Sequence, residues 1–301
     1  MTTLHLFSPS GVVPHAAQVR LAAKRLQALG FETHIDEAAL KRHQRFAGDD
    51  DTRLAAVHRV AHANPSVAMA TRGGYGLTRL LDRIDWKLLV RSVEQGTRWV
   101  GYSDFTALHL GLLAHGGAIS WAGPTAMEDL GRPDERGGVD DVTVSCFAEA
   151  MSGELEAVGF RTDPGCDGLS LRGTLWGGNL TMVNSMMGTP HFPKVRQGIL
   201  FLEDVNEHPY RIERQLLQLL QAGVLSAQRA ILLGHFSDWK ASPLDRGFNL
   251  KAVCAYLRTQ LRVPVLTGLP FGHVPTRVSL PVGSRVSLFV QGREAFVQWG
   301  R

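Results

Sequence analysis

"RWVGYSDFTALHLGLLAHG", residues 98–116, is the stretch from which the fold follows. Trp99 and Val100 make a short apolar run, Gly101 to Asp104 break it, and from Phe105 to His115 the residues suit a helix. A buried strand turning a tight corner into a helix is the repeating unit of α/β sheets. This corner carries a serine. Either Ser103 holds a hydroxyl out at a strained turn, as a nucleophile requires, or it and Asp104 cap the helix by accepting backbone N–H bonds.

The same unit recurs upstream. "LHLF" (4–7) breaks at Ser8-Pro9-Ser10-Gly11 and leads into the helical segment "HAAQVRLAAKRLQALG" (15–30). "FETHID" (31–36) reads as a strand, and "DDDTRLAAVHRVAHAN" (49–64) as a helix with acidic residues at its N-terminus. "SVAMATRGGYG" (66–76) gives a strand and a glycine turn, and "LTRLLDRI" (77–84) a further helix. "AISWAGP" (118–124) adds a strand. This alternation predicts a mostly parallel sheet covered by helices.

Residues 126–169 are rich in turn formers, with one helix candidate near 142–151, and are expected to connect an N-terminal domain (1–125) to a C-terminal one (170–301). The second half offers strands at "GILFLE", "RAILLGHFS" and "PVLTGLP", and helices at "YRIERQLLQLLQAG" and "NLKAVCAYLRTQL". "RVSLFVQGREAFVQWG" (285–300) reads as a hairpin turning at Gln291-Gly292.

Composition narrows the function classes. The net charge is +4, with basic residues scattered among acidic ones, which argues against nucleic acid as a partner. The three cysteines lack CxxC spacing, so neither a zinc cluster nor a disulfide scaffold is expected. No apolar run approaches the ~20 residues that span a bilayer, and the N-terminus lacks the features of a secretion signal. The expected location is the cytoplasm, with no membrane partner.

Three polar residues share one grammar, each at or just past the end of an apolar strand: Ser103 after "RWVGY", Glu203 after "GILFL", His273 after "PVLTGLPFG". Ligands and catalytic groups collect at such strand ends. A serine hydroxyl needs an imidazole to take its proton, and a carboxylate must fix the imidazole tautomer. Other readings stand beside this one. His235 in "LLGHFSD" is a rival base, and Glu203, Asp204 or Glu207 could pair with Arg211 or Arg214. The corner is G-x-S-D-F rather than the G-x-S-x-G of common hydrolases. "TRGGYG" lacks dinucleotide or P-loop spacing; it is a plain turn or supplies one oxyanion donor, with the Asp104 N–H as the other.

"SPSG", "TRGGYG", "GYSD", "GGNL", "LFLEDVNEHPYRIER" and "GLPFGH", in this order, resemble the S66 serine peptidases, the LD-carboxypeptidases, over nearly the whole chain. The resemblance implies an N-terminal flavodoxin-like parallel-sheet domain and a smaller C-terminal swivelling-type β/α domain, with the active site between them. It implies Ser103 as nucleophile, His273 as base, Glu203 as its orienting acid, and the N–H groups of Gly74 and Asp104 as the oxyanion hole. It also implies a homodimer, no metal or other cofactor, and hydrolysis of the meso-diaminopimelate–D-alanine bond of murein tetrapeptides. Asn179, Arg211 and Arg214 are candidates for the substrate's terminal carboxylate. The family's second activity, cleavage of microcin C-type peptide- or aminoacyl-nucleotides, would want an aromatic surface, for which Trp176 is the candidate; Trp176 as a packed core residue is the alternative. A non-catalytic α/β ligand-binding protein and an ordinary esterase remain as readings from other classes.

Overall fold

The computed structural model describes residues 2–300. The chain forms two compact units, each gathered from separated stretches. The first takes the chain up to Leu155, Gly188–Pro193 and Pro275–Gly283; the second takes Glu156–Met187, Lys194–Val274 and the residues from Ser284 onward.

The first unit is built on a six-stranded sheet in the order Leu280–Val282, Ser120–Ala122, Arg98–Gly101, Val67–Ala70, Thr2–Phe7, Phe31–Ile35. Every neighbouring pair is parallel except the edge strand Leu280–Val282, which runs antiparallel to Ser120–Ala122. Val67–Ala70 is buried at all four positions, as a strand covered on both faces must be. Leu4, Leu6, Met69 and Val100 pack with Val19 and Leu26 of the helix Ala16–Ala28 and with Phe147 of the helix Asp141–Ser152. That last helix starts where Asp140 accepts the Thr143 N–H at 2.9 Å. Part of the turn-rich stretch therefore belongs to this core.

The expected helix over 77–84 is instead two 3-10 turns, Leu77–Arg79 and Leu81–Arg83. Its apolar spacing does mark buried positions, since Leu77, Leu80, Leu81 and Ile84 are all enclosed. A new helix, Trp86–Glu94, begins just beyond, capped by Asp85 through the Leu88 N–H at 3.0 Å. To place that cap the chain turns extended at Ile84, which cuts the earlier segment short.

His109 lies fully buried on the helix Thr106–Gly116. Its Nε2 donates to the Gly101 carbonyl at 2.9 Å, which leaves Nδ1 to accept from the Ser120 hydroxyl at 2.8 Å. Burial lowers its pKa to about 4. The folded chain thus keeps a neutral imidazole while the unfolded chain takes up a proton near pH 6.5. Stability should fall as pH drops from 6.5 toward 4 and level off below, by roughly 3 kcal/mol in all. Denaturant titrations across that range should show this decline in the wild type, and His109→Gln should flatten it.

The second unit holds a seven-stranded sheet in the order Val265–Thr267, Ala230–Ser237, Ile199–Val205, Ser170–Asn179, Arg285–Gln291, Glu294–Gln298, Ala157–Arg161. The first four strands are mutually parallel and the remaining pairings antiparallel, with the expected terminal hairpin among them. Gly177 explains the close spacing of two central strands. Its φ is +127°, and a Cβ there would stand 2.0 Å from the Phe201 carbonyl oxygen. The helices are Leu180–Met186, Pro209–Gln221 and Leu250–Gln260. Among the described residues no helix is long and apolar enough to cross a membrane.

Candidate active site

The strand Arg98–Gly101 ends at a glycine because the next turn folds back on it: a Cβ at Gly101 would lie 2.7 Å from the Phe105 ring. Tyr102 is extended, and Ser103 then takes φ +63°, a conformation that costs a non-glycine residue on the order of 1–3 kcal/mol. The helix Thr106–Gly116 has Phe105 at its N-cap position and no side-chain capping bond. Ser103 is therefore not spent as a helix cap. The strain that capping does not explain is what a hydroxyl presented at a strand-to-helix corner needs.

The "TRGGYG" loop lies directly against this corner. A Cβ at Gly73 would stand 2.7 Å from the Ser103 Cβ and 3.0 Å from its Oγ. Gly74 has φ +85°, which turns the backbone through a region that side-chain-bearing residues avoid. Two devices hold the loop in place. The Gly11 N–H donates to the Gly73 carbonyl at 3.2 Å. The fully buried Arg53 donates to the carbonyls of Pro9 at 3.1 Å and Gly76 at 2.7 Å, and pairs with Asp50. Gly73→Ala should accordingly push the corner off its geometry and lower kcat about 10²-fold, the scale of a misplaced reacting group. Turnover measured alongside a thermal melt checks this, since loss of activity should far exceed loss of folded protein.

In the second unit, Glu203 sits inside the strand Ile199–Val205 with no exposed surface. Its Oε2 accepts from His273 Nδ1 at 2.7 Å, and its Oε1 accepts from Asn179 Nδ2 at 3.2 Å. Asn179 is its register partner on the neighbouring strand. The same Asn179 nitrogen donates to Asp204 Oδ1 at 2.9 Å, while Asn179 Oδ1 caps the helix Leu180–Met186 at the Met182 N–H, 3.1 Å away. Successive side chains of a strand normally face opposite ways. Here both carboxylates nonetheless reach one amide, that of Asn179 on the neighbouring strand. Burial, and then the Glu203 charge beside it, raises the Asp204 carboxyl above the usual range. Asp204 is further held by the Thr181 N–H and hydroxyl, at 2.9 and 2.8 Å.

His235 is exposed on the strand Ala230–Ser237 and has no carboxylate partner among the described residues. Arg211 and Arg214 are exposed on the helix Pro209–Gln221; the Arg211 Nε donates to the Tyr210 hydroxyl at 3.3 Å, and Glu207 lies 3.9 Å away. Trp176 is 1% exposed and its indole N–H donates to Gln228 at 2.9 Å, so its ring is packing and has no face open to a base. Composition and spacing gave no signal for the Asp204 contacts. The Asn179 cap was recoverable from "GGNL", where an asparagine precedes a helical run.

Residues 4–123 match the LD-carboxypeptidase N-terminal domain and residues 172–288 the LD-carboxypeptidase C-terminal domain. The chain belongs to the S66 LD-carboxypeptidase family. It is thus a serine-type peptide hydrolase. A crystal structure of muramoyltetrapeptide carboxypeptidase from Oxalobacter formigenes is 40% identical, with a TM-score of 0.91 over 100% of this chain and 99% of that one. The murein tetrapeptide carboxypeptidase of Pseudomonas aeruginosa is 30% identical over 88% of this chain and 86% of its own length. The microcin C7 self immunity protein MccF, 21% identical with a TM-score of 0.84, shares the fold of this S66 chain over 99% of its length and 96% of that protein's.

Proposed function

We propose that this carboxypeptidase removes the terminal D-alanine of murein tetrapeptides by cutting its amide bond to meso-diaminopimelate. The observation that carries the reading is the 2.7 Å bond from His273 Nδ1 to the fully buried Glu203. That bond fixes Nδ1 as the protonated nitrogen and leaves Nε2 basic, the tautomer that can take a proton from a serine hydroxyl. Ser103 Oγ attacks the scissile carbonyl as its proton passes to His273 Nε2. The oxyanion is met by the N–H groups of Gly74 and Asp104. His273 then gives its proton to the departing D-alanine nitrogen, and the C–N bond breaks. Water, deprotonated by His273, cleaves the resulting ester and restores the serine. Asn179 serves the carboxylate pair Glu203 and Asp204, and this positions the histidine's partner rather than the substrate. The names carried by the relatives support the substrate assignment.

Incubation with murein tetrapeptide, followed by mass spectrometry, should yield free D-alanine and tripeptide in equal amounts. Inertness toward the tetrapeptide, with turnover of an aminoacyl-nucleotide amide, would sink the substrate assignment. The reading also holds that the enzyme works in the cytoplasm, which rests on the composition of the sequence, and as a homodimer, which rests on the family resemblance; sedimentation of the purified chain tests the second part.

A further inference from the structure

A carboxypeptidase must read a free terminal carboxylate, which lies two bonds beyond the nitrogen it releases. Arg211 and Arg214 sit exposed on a helix, and the Asn179 amide is committed to Glu203 and Asp204. We propose that Arg72 is the residue that receives that carboxylate and so sets the exopeptidase specificity. This deepens the function proposed above and rests on it.

Arg72 directly precedes Gly73, which lies against Ser103, and Gly74. Its guanidinium spreads over backbone that carries no side chains. A Cβ on Gly74 would lie 3.7 Å from the Arg72 Cζ and Nη2, and one on Gly11 3.5 Å from Nη1. The glycines therefore keep one approach to the cation clear, beside the oxyanion donor assigned to Gly74. The fork is held from its other edges. Nη1 donates to the Val12 carbonyl at 3.0 Å, and Nε, which makes no hydrogen bond among the described residues, lies within ion-pair range of Glu128 Oε1 at 3.3 Å. Glu128 is itself fixed, since its Oε2 accepts from the Tyr102 hydroxyl at 2.9 Å. Nη2 makes no hydrogen bond among the described residues, and the side chain is 27% exposed. An oriented guanidinium with a nitrogen left over suits a carboxylate.

The other arginines of this unit near the strand ends are committed. Arg53 is fully buried on two carbonyls and Asp50; Arg79 and Arg83 pair with Asp50 and Asp51; Arg277 pairs with Asp129 beneath Tyr102. Through Glu128, Arg72 is linked to Tyr102, which precedes Ser103. The Arg72–Glu128–Tyr102 chain thus links the place where the substrate ends to the corner where it is cut.

The test compares murein tetrapeptide with the same peptide ending in a carboxamide, for wild type, Arg72→Gln and Arg72→Lys, with release followed by mass spectrometry. The wild type should favour the acid over the amide. Arg72→Gln should lower kcat/KM on the acid about 10²-fold, the scale for removing one partner of a charge-assisted pair, and leave the amide within a few-fold. Arg72→Lys should recover part of the preference through its charge. Equal losses on both peptides would mean that Arg72 only supports the corner through Glu128, and would overturn the proposal, as would an unchanged acid-to-amide ratio. If another acid-ending peptide is cut in place of the tetrapeptide, the substrate assignment fails while the same ratio still decides Arg72. Cleavage of no peptide at all overturns both.

Discussion

Ser103→Ala should abolish D-alanine release, lowering kcat on the order of 10⁶-fold, with the protein still folded. The hydroxyl caps no helix, so removing it leaves the local structure in place. What survives is the contribution of the oxyanion donors and substrate binding. Because nucleophile and base act as one unit, adding His273→Ala should produce almost no further loss. A companion substitution separates chemistry from strain. Ser103→Gly should be as inactive as Ser103→Ala yet more stable, by about 1 kcal/mol, because glycine adopts φ +63° without the clash that a Cβ brings. Single-turnover assays and denaturant titration of both variants check this. Alanine and glycine variants of equal stability would remove the strained-corner argument, and release by Ser103→Ala would remove the serine.

The second large effect is expected at Glu203→Gln, a change of one atom that should cost about 10⁴-fold in kcat. Glu203 accepts on both oxygens, from His273 on one side and Asn179 on the other. A glutamine can satisfy Asn179 only by turning its carbonyl that way, which points its own NH₂ at the imidazole. His273 must then offer an unprotonated Nδ1 and carry its proton on Nε2, the nitrogen that has to accept from serine. The opposite rotamer restores the tautomer but sets two NH₂ groups against each other in a fully buried place. Either way the productive arrangement is disfavoured, while substrate binding is untouched. The variant should therefore keep its KM and lose kcat. Retention of full turnover would show that Glu203 does not set the histidine.

The α/β character was readable because buried parallel strands announce themselves. "VAMA" and "RWVG" are short apolar runs bounded by turn formers, and they became adjacent strands. Strand-end placement likewise singled out Ser103, Glu203 and His273 as candidates, of which the structure pairs His273 with Glu203. Partnership was not readable. That Asn179 would serve two carboxylates depends on which strands become neighbours and in what register, which leaves no trace in residue types. Sequence left Trp176 open between a ligand platform and a core residue, because it gives the ring and not the Gln228 that accepts from its N–H. Nothing in the motif "TRGGYG" shows that the Arg72 guanidinium spreads over the backbone of Gly11 and Gly74. The helix expected over 77–84 failed for a local reason: Asp85 nucleates its own helix, and apolar spacing alone does not mark where one helical segment yields to the next.

The edge strand Leu280–Val282 gives the sheet that carries Ser103 its last member from near the other end of the chain. The same returning segment brings Arg277, whose guanidinium neutralises the buried Asp129 and covers the Tyr102 ring. On the ribosome, then, the nucleophile's scaffold waits for most of the second unit to be synthesised. Until residue 277 emerges, Asp129 has no cation in the place it must bury, and Ser120–Ala122 presents an open strand edge. A nascent or truncated chain would hold the serine without the frame that strains it. Competence for hydrolysis arises late in biosynthesis, and a proteolytic fragment ending near Leu155 should carry the nucleophile's sequence with none of its reactivity.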